Sequence, residues 1–334
     1  MKSVFYFYRA IALMVVGLLW AGLAIAQEQP AANQFKTSQP DNNSVAVPAS
    51  DQVLEVKSEL VLIDVSVQDK DRNFIAGLGR GNFRVFDEQV EQQIEIFSSD
   101  NVPVSFGIVI DTSGSMRFKL KTVISAAKEL LGRCRPGDEV FIVDMKDPLR
   151  IRFVQPFTSN VSEAIAKLDN MYSSGGTALL DGISAAGQYA DQQAKNRRRA
   201  LVVMSDGDER DSSIKVSDMI DQLRELNVQV YMIGFPEGFV DSKGTFLEST
   251  AGKAKGLLKK VAEETGGQAF FPDSLDEVSI ISGKINEGLR SQYILGYYPS
   301  NDKRDGRWHR LQVKLSDTKK KYAVRTRSGY FASK

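Results

Sequence analysis

Between Val104 and Leu289 the chain alternates short apolar runs with longer amphipathic stretches. Uninterrupted apolar runs are typical of strands buried on both faces of a parallel sheet, whereas apolar positions three or four apart indicate helices. The runs predict strands at Val104–Ile110, Glu139–Met145, Ile151–Gln155, Ala200–Met204, Val228–Gly234 and Gln268–Phe271. The amphipathic stretches predict helices at Phe118–Cys134, Val161–Met171, Ala178–Ala194, Ile214–Leu226, Gly252–Thr265 and Ser274–Leu289.

This alternation predicts an α/β fold with a Rossmann-like, doubly wound and mostly parallel sheet that has helices on both faces. The strands on either side of Asp147-Pro148 are close enough in sequence to form a hairpin. A hairpin joins antiparallel strands, so we expect one antiparallel edge strand in an otherwise parallel sheet.

Both flanks of this region have strand patterns instead. Strands are predicted at Leu54–Gln68, Phe83–Asp87 and Gln93–Ser98 on one side, and at Gln292–Tyr298, Arg307–Leu315 and Tyr322–Thr326 on the other. Two or three strands are marginally stable in water on their own. We therefore expect the flanks to pack together as one small β-sandwich, with the α/β domain inserted between them.

The N-terminus has the pattern of a targeting segment. Lys2 and Arg9 precede the uncharged stretch Ala10–Ala26, which ends in Ala-Ile-Ala. This pattern predicts a secretory signal peptide, and an uncleaved anchor stays open because the stretch approaches the length needed to span a bilayer. The predicted division is a signal peptide at 1–26, a flexible linker at 27–52, β-sandwich parts at 53–101 and 290–334, and the α/β domain at 102–289. We expect an exported protein, located in the periplasm, the cell envelope or the medium, with no membrane insertion after cleavage.

Polar residues stand where two of the predicted buried strands end and where one helix begins. Asp111, Ser113 and Ser115 follow the first strand, Asp206 follows the fourth, and Thr177 follows a glycine pair just before a helix. Open α/β sheets bind ligands beyond the carboxyl ends of their strands, and an all-oxygen site suits a hard divalent cation. Taken singly, such residues are also common helix N-caps, so Thr177 could instead cap the helix that begins at Ala178.

In these residues the sequence resembles the von Willebrand factor type A domain and its metal-ion-dependent adhesion site. That family has DxSxS on one loop, a Thr on a second loop and an Asp in a TDG-like or SDG-like third loop. The resemblance implies that five residues hold Mg²⁺ (or Mn²⁺): Asp111, Ser113, Ser115, Thr177 and Asp206. It also implies one coordination position left for a Glu or Asp carboxylate from a partner protein.

A second resemblance covers nearly the whole mature chain. The segments Ile63–Leu78, Phe83–Glu88, Tyr293–Asn301 and Gly329–Phe331 are similar to those of certain bacterial exported proteins that contain this domain. That resemblance bears on architecture more than on activity.

Composition restricts the alternatives. With 43 basic and 42 acidic residues the net charge is +1, which gives no overall attraction to nucleic acid or to anionic membranes. The basic run Lys195–Arg199 is expected to be a solvated turn. The single cysteine, Cys134, excludes an internal disulfide, and the single histidine, His309, lies outside the α/β region, which removes most ways of building a His-activated nucleophile.

The leading hypothesis is therefore a non-enzymatic, metal-dependent, adhesion-type protein-binding module. Two alternatives remain open. One is a metal-assisted hydrolase of phosphate or acyl esters, in which Asp208 or Glu209 would serve as the base. The other is an envelope scaffold or assembly factor whose metal is structural.

Overall fold

The computed structural model describes residues 59–146, 151–235, 239–240, 246–301, 305–317 and 321–333. The predicted signal peptide and linker lie outside these residues. The chain divides into two units, Met1–Glu55 and Val56–Lys334, and all described residues belong to the second. In the described part of the chain, none of the helices combines the length and apolar character needed to cross a membrane.

The strands of the described residues are β1 (Val61–Gln68), β2 (Phe83–Asp87), β3 (Val90–Gln92), β4 (Ile96–Ser98), β5 (Val104–Asp111), β6 (Glu139–Met145), β7 (Ile151–Thr158), β8 (Arg198–Ser205), β9 (Val228–Gly234), β10 (Phe239–Val240), β11 (Phe246–Leu247), β12 (Ala269–Phe270), β13 (Gln292–Tyr297), β14 (Trp308–Leu315), β15 (Ala323–Arg325) and β16 (Gly329–Phe331). The helices are α1 (Leu120–Gly132), α2 (Val161–Leu168), α3 (Leu179–Gln193), α4 (Val216–Glu225), α5 (Glu248–Glu264) and α6 (Leu275–Arg290).

The central sheet has the strand order β12-β9-β8-β5-β6-β7, with every pair parallel except β6 and β7. Successive side chains of β5 point to opposite faces: Ile108 packs in the core beneath α1, α2 and α6, and Val109 in the core beneath α3, α4 and α5. Both faces are covered, which explains why the strands are apolar throughout. The predicted α/β fold class, including the antiparallel edge strand, is confirmed.

The flanking strands form two four-stranded antiparallel sheets, β15-β1-β13-β4 and β16-β14-β2-β3, that share one apolar core. Each sheet takes strands from both ends of the chain; β1 pairs with β13 from Val61 opposite Tyr297 to Ser66 opposite Gln292. Ile63, Val85 and Leu295 of that core are fully buried. The expected β-sandwich with an inserted α/β domain is therefore present.

One predicted strand is wrong in detail. Of the predicted strand Gln93–Ser98 only Ile96–Ser98, β4, is a strand. β3 precedes it in the other sheet, and the chain crosses between the two sheets at Ile94, which is buried. β2 and β3 form a hairpin whose central residues, Glu88 and Gln89, both have positive φ (47° and 69°). Hairpin turns of this kind usually carry Asn or Gly, so Glu88-Gln89 is not a recognisable turn signal.

The sandwich packs against the amino ends of the parallel strands, opposite the ends at which Asp111 and Asp206 lie. Helix α6 runs directly into β13, and the Arg290 side chain pairs with Asp138, just before β6, through contacts of 2.5 and 3.3 Å. Gln292 Nε2 donates to Gln229 Oε1 (2.7 Å) on β9. Buried polar contacts thus join the two parts of the described unit.

The basic run Lys195–Arg199 lies at this junction. Residues 195–197 form a bend in which Lys195 and Arg197 are exposed, as expected, but the expectation of a solvated turn is wrong for Arg198 and Arg199, which begin β8. Arg198 is 2% exposed and donates to the carbonyl oxygens of Leu289 and Arg290, which end α6. Arg197 forms an ion pair with Asp64 of β1 (2.6 Å). Carbonyls at a helix C-terminus carry partial negative charge, which accounts for a guanidinium buried there.

Candidate functional site

The first of three loops follows β5. Asp111 is fully buried, and its Oδ1 accepts a hydrogen bond from the Ser113 N–H (2.9 Å), which turns the chain sharply. Ser113 Oγ and Ser115 Oγ lie 3.0 Å apart. Met116, also fully buried, anchors the short 3-10 helix Gly114–Met116 that carries these hydroxyls.

The second loop, residues 173–177, is hydrogen-bonded to the first. The Ser174 N–H donates to Thr112 O (2.8 Å), and the Gly114 N–H donates to Gly175 O (3.2 Å). Gly175 has a φ of 87°, a conformation that favours glycine. The glycine pair before Thr177 therefore has a structural reason: it allows this backbone to lie directly against the first loop.

The third loop follows β8 and is tied to Asp111 by a side chain. Ser205 Oγ donates to Asp111 Oδ2 (2.7 Å) and accepts from the Gly207 N–H (2.9 Å). Asp206 Oδ1 accepts from the Asp208 N–H (3.1 Å). Gly207 has a φ of 77°, so the glycine of the SDG motif permits the tight turn that directly follows Asp206.

Thr177 contacts the third loop through its backbone. Its carbonyl accepts from the Asp211 N–H (3.0 Å), and its own N–H donates to Asp211 Oδ2 (3.0 Å). All three predicted loops are thus linked to one another. Asp111 is linked to Ser113 directly and to the strand before Asp206 through Ser205, and Thr177 joins the group through main-chain contacts.

Thr177 is not the cap of α3, so that alternative is wrong. The N-cap position is Ala178, which makes no side-chain cap bond. The first N–H groups of α3 are satisfied from the third loop: the Leu180 N–H donates to Glu209 Oε2 and to Ser212 Oγ, both at 3.0 Å. The helix therefore does not need the threonine for capping.

The charge of the site is concentrated on two buried carboxylates. Burial, reinforced by the nearby charge of Asp206 and opposed by hydrogen bonds from Ser113 and Ser205, raises the pKa of Asp111 to about 6. Asp206 is 5% exposed, and its Oδ2 has no hydrogen-bond partner among the described residues. The Lys119 ammonium lies 3.5 Å from that oxygen and also donates to Phe235 O (2.8 Å).

These residues fit a hard cation. The one cation found beside the two buried carboxylates among the described residues is the Lys119 ammonium, which pairs with Asp206, so Asp111 and Asp206 together carry more negative charge than it balances. A divalent cation would offset the cost of burying that charge. Carboxylates and hydroxyls are oxygen donors of the kind that Mg²⁺ takes. Within the described ranges there is no group of three or more His, Cys, Asp and Glu side chains that could hold a metal ion.

Several residues around the site were not identified from the sequence. Ser205 and Lys119 both approach the carboxylates, but a serine at a strand end and a lysine before a helix are common and gave no specific signal. Asp208 pairs with Arg210 (2.6 Å). His309 lies in the sandwich, with its Nδ1 3.1 Å from Asp87 Oδ1, and so stands apart from the three loops.

The mostly parallel sheet with helices on both faces defines a doubly wound α/β protein. Its three polar loops, two of which follow strand ends, bond to one another and form an oxygen-lined site at the edge of the sheet. The chain belongs to the von Willebrand factor type A domain family, whose family model matches residues 107–282.

The chain is also similar to individual proteins. The uncharacterized protein sll0103 of Synechocystis sp. is 22% identical over 241 residues, which cover 70% of this chain and 53% of that protein, so the chain spans about half the length of this relative. BatB from Bacteroides thetaiotaomicron is 22% identical over 55% of this chain and 98% of its own, with a TM-score of 0.44. The pilus adhesin SpaC from Lactobacillus rhamnosus GG is 10% identical over 75% of this chain and 47% of its own, with a TM-score of 0.47.

Proposed function

We propose that this protein is an exported, non-enzymatic module that binds a partner protein through a divalent cation. The proposed ligands are Asp111, Ser113, Ser115, Thr177 and Asp206. The observation that carries the proposal is the pair of buried carboxylates, Asp111 and Asp206, which have one ammonium group, that of Lys119, beside them. They lie on loops that are hydrogen-bonded to each other and to the loop of Thr177.

The donor set explains how such a site would bind an acidic partner. Hydroxyl ligands are neutral, so Ser113, Ser115 and Thr177 would leave the cation's charge to be balanced by the two carboxylates. Mg²⁺ favours six oxygen ligands in near-octahedral geometry, and five protein positions leave one for an external oxygen. When bound, the cation supplies a positive charge that accepts a Glu or Asp carboxylate of the partner, and a charge-assisted contact of this kind adds both affinity and specificity.

The arrangement of the other polar groups supports binding over catalysis. Domains of this family are generally non-catalytic interaction modules. The two residues considered as a hydrolytic base have structural roles: Asp208 pairs with Arg210, and Glu209 accepts the Leu180 N–H at the start of α3. Export is supported by the basic start and the apolar stretch Ala10–Ala26 of the sequence.

Thermal unfolding with and without cation tests the proposal. A ligand that binds only the folded state, at a hundred times its Kd, stabilises that state by about 2.7 kcal/mol. Millimolar Mg²⁺ or Mn²⁺ should therefore raise the Tm of the wild type but not of Asp111→Ala. The matched control is Asp208→Asn, which removes a neighbouring carboxylate outside the proposed ligand set and should keep the shift.

Calorimetric titration with Mn²⁺ completes the test. We expect one site per chain in the wild type and in Asp208→Asn, and none in Asp111→Ala. A wild-type protein that neither binds Mn²⁺ nor gains stability from it contradicts the proposed site. Partner binding that persists unchanged in EDTA would favour the scaffold alternative.

A further inference from the structure

Two exposed aromatic side chains lie directly beside the loops that carry the proposed hydroxyl ligands. Phe118, three residues after Ser115, is 94% exposed, and Tyr172, five residues before Thr177, is 60% exposed. In the described part of the α/β domain, Ile280 on α6 is the one other large apolar residue that is exposed to solvent. Exposed large apolar groups gathered near one another are typical of interaction surfaces.

The chain segments that carry the two rings adjoin loops that are hydrogen-bonded to each other. Phe118 lies between the 3-10 helix Gly114–Met116 and α1, and Tyr172 precedes the second loop. Backbone hydrogen bonds join the loops themselves, from Gly114 to Gly175 and from Ser174 to Thr112. The Tyr172 ring is further held by the Lys146 ammonium, 3.7 Å from its centroid.

The charge of the first loop is also one-sided. From Ser113 to Lys121 the chain has three basic residues and no acidic one: Arg117, Lys119 and Lys121. Lys119 pairs with Asp206 (3.5 Å), so the positive surface beside Phe118 comes from Arg117 and Lys121. Arg117 and Lys121 are exposed. The second loop, residues 173–177, has no charged residue. A surface that combines two exposed rings with positive charge complements a segment that combines acidic and apolar side chains.

We propose that Phe118 and Tyr172 form an apolar rim beside the proposed cation site, and that this rim selects partner segments with a large apolar side chain close to the acidic ligand residue. The inference rests on the proposed function and adds the chemistry of the partner to it. Phe118 contributes contact area to the bound segment and takes no part in holding the cation. Its role is therefore specificity for the partner.

The test uses two pools of fluorescein-labelled peptides of glycine and serine around a central Glu. In the first pool Phe occupies each position within two residues of the Glu, and in the second pool Ser does so. Binding is measured by fluorescence anisotropy on the mature chain in Mn²⁺, and Mn²⁺ binding itself is measured by calorimetry. The variants are Phe118→Ser and, as a matched exposed apolar residue remote from these loops, Ile280→Ser.

The wild type should bind the Phe pool about tenfold more tightly than the Ser pool. A difference of this size is expected when part of one aromatic ring is shielded from water and the cost of ordering the peptide is subtracted. Phe118→Ser should reduce this preference to less than about twofold while leaving Mn²⁺ affinity and Ser-pool binding unchanged. Ile280→Ser should behave as the wild type.

Each failure is distinguishable. If Mn²⁺ binds but the pools bind equally, or neither binds, or Phe118→Ser keeps the full preference, the aromatic-rim inference is overturned while the cation site stands. If the wild type does not bind Mn²⁺, the proposed function fails as well.

Discussion

Replacing Arg290 with Met should destabilise the protein strongly, because Arg290 is the cationic partner of a buried carboxylate. Its Nη2 lies 2.5 Å from Asp138 Oδ2, and the two side chains are 6% and 1% exposed. The remaining partners of Asp138 are the N–H groups of Val104 (3.0 Å) and Arg135 (2.7 Å). Methionine keeps much of the side-chain volume and removes the charge.

The size of the effect follows from this geometry. Removing one partner of a buried ion pair costs about 3–5 kcal/mol, and the two backbone hydrogen bonds that remain favour the lower end. At roughly 2–4 °C per kcal/mol for a unit of this size, the Tm should fall by about 6–12 °C. Adding Asp138→Asn removes the uncompensated charge, so the double variant should be more stable than the sum of the single losses by about 1–3 kcal/mol.

The pH dependence gives a second, independent reading. Burial acts to raise the pKa of Asp138, but Arg290 and the Arg135 and Val104 N–H groups outweigh it and hold the pKa below its ordinary value. The pair's stabilisation is therefore fully present above the ordinary pKa, about 4, and is lost as pH falls through the lowered value. Without Arg290 the pKa of Asp138 should be higher than in the wild type, because burial is then opposed only by the two backbone hydrogen bonds. The deficit of Arg290→Met should therefore shrink as the pH is lowered toward the ordinary pKa.

Urea unfolding of the mature chain, followed by circular dichroism and by the fluorescence of Trp308 in the sandwich, measures these free energies. Arg133→Met is the matched control, because Arg133 pairs with Glu129 on the surface (2.9 Å, side chains 39% and 34% exposed) and should cost less than about 0.5 kcal/mol. An Arg290→Met variant within about 1 kcal/mol of the wild type at neutral pH, or a deficit that grows in acid, would refute this reasoning.

Three further predictions concern the site and its surroundings. Gly207→Ala should lower the free energy of unfolding in urea by about 1–3 kcal/mol, because φ is 77° and a Cβ would lie 3.0 Å from the Cβ of Ala254. The control Gly81→Ala, whose Cβ meets nothing within 4 Å, should change it by less than about 0.5 kcal/mol. Equal losses in the two variants would contradict backbone strain and crowding at Gly207. Cys134 should react with iodoacetamide at pH 8 at least about a hundredfold more slowly in the native than in the unfolded protein, because burial, and after it the charge of Asp138, raises the pKa of its thiol to about 12; rapid native alkylation would contradict this. Glu209→Ala should cost about 1 kcal/mol by uncapping α3 and leave Mn²⁺ affinity within about twofold, and a larger loss of affinity would assign Glu209 to the site.

The sequence by itself determined the order and type of most elements. Burial on both faces makes β5, β6, β8 and β9 apolar throughout, and this signal lies within a few consecutive residues. The antiparallel β7 and the sandwich built from both flanks could be predicted because a short connection permits only a hairpin and a few strands cannot bury a core alone. The positions of Asp111 and Asp206 followed from strand ends, which also lie within local sequence.

Only the tertiary structure decided which distant groups meet. The crossing from β3 to β4 depends on two sheets packing together, and the start of α3 is capped by Glu209 and Ser212 from about thirty residues further along the chain. Arg198 is buried because the end of α6 lies over it. The ammonium of Lys119 near Asp206 and the exposure of Phe118 are equally non-local. Hydrophobic periodicity encodes which face of an element is buried, whereas capping, charge pairing and the accessibility of a loop depend on long-range contacts that leave no periodic trace in one sequence.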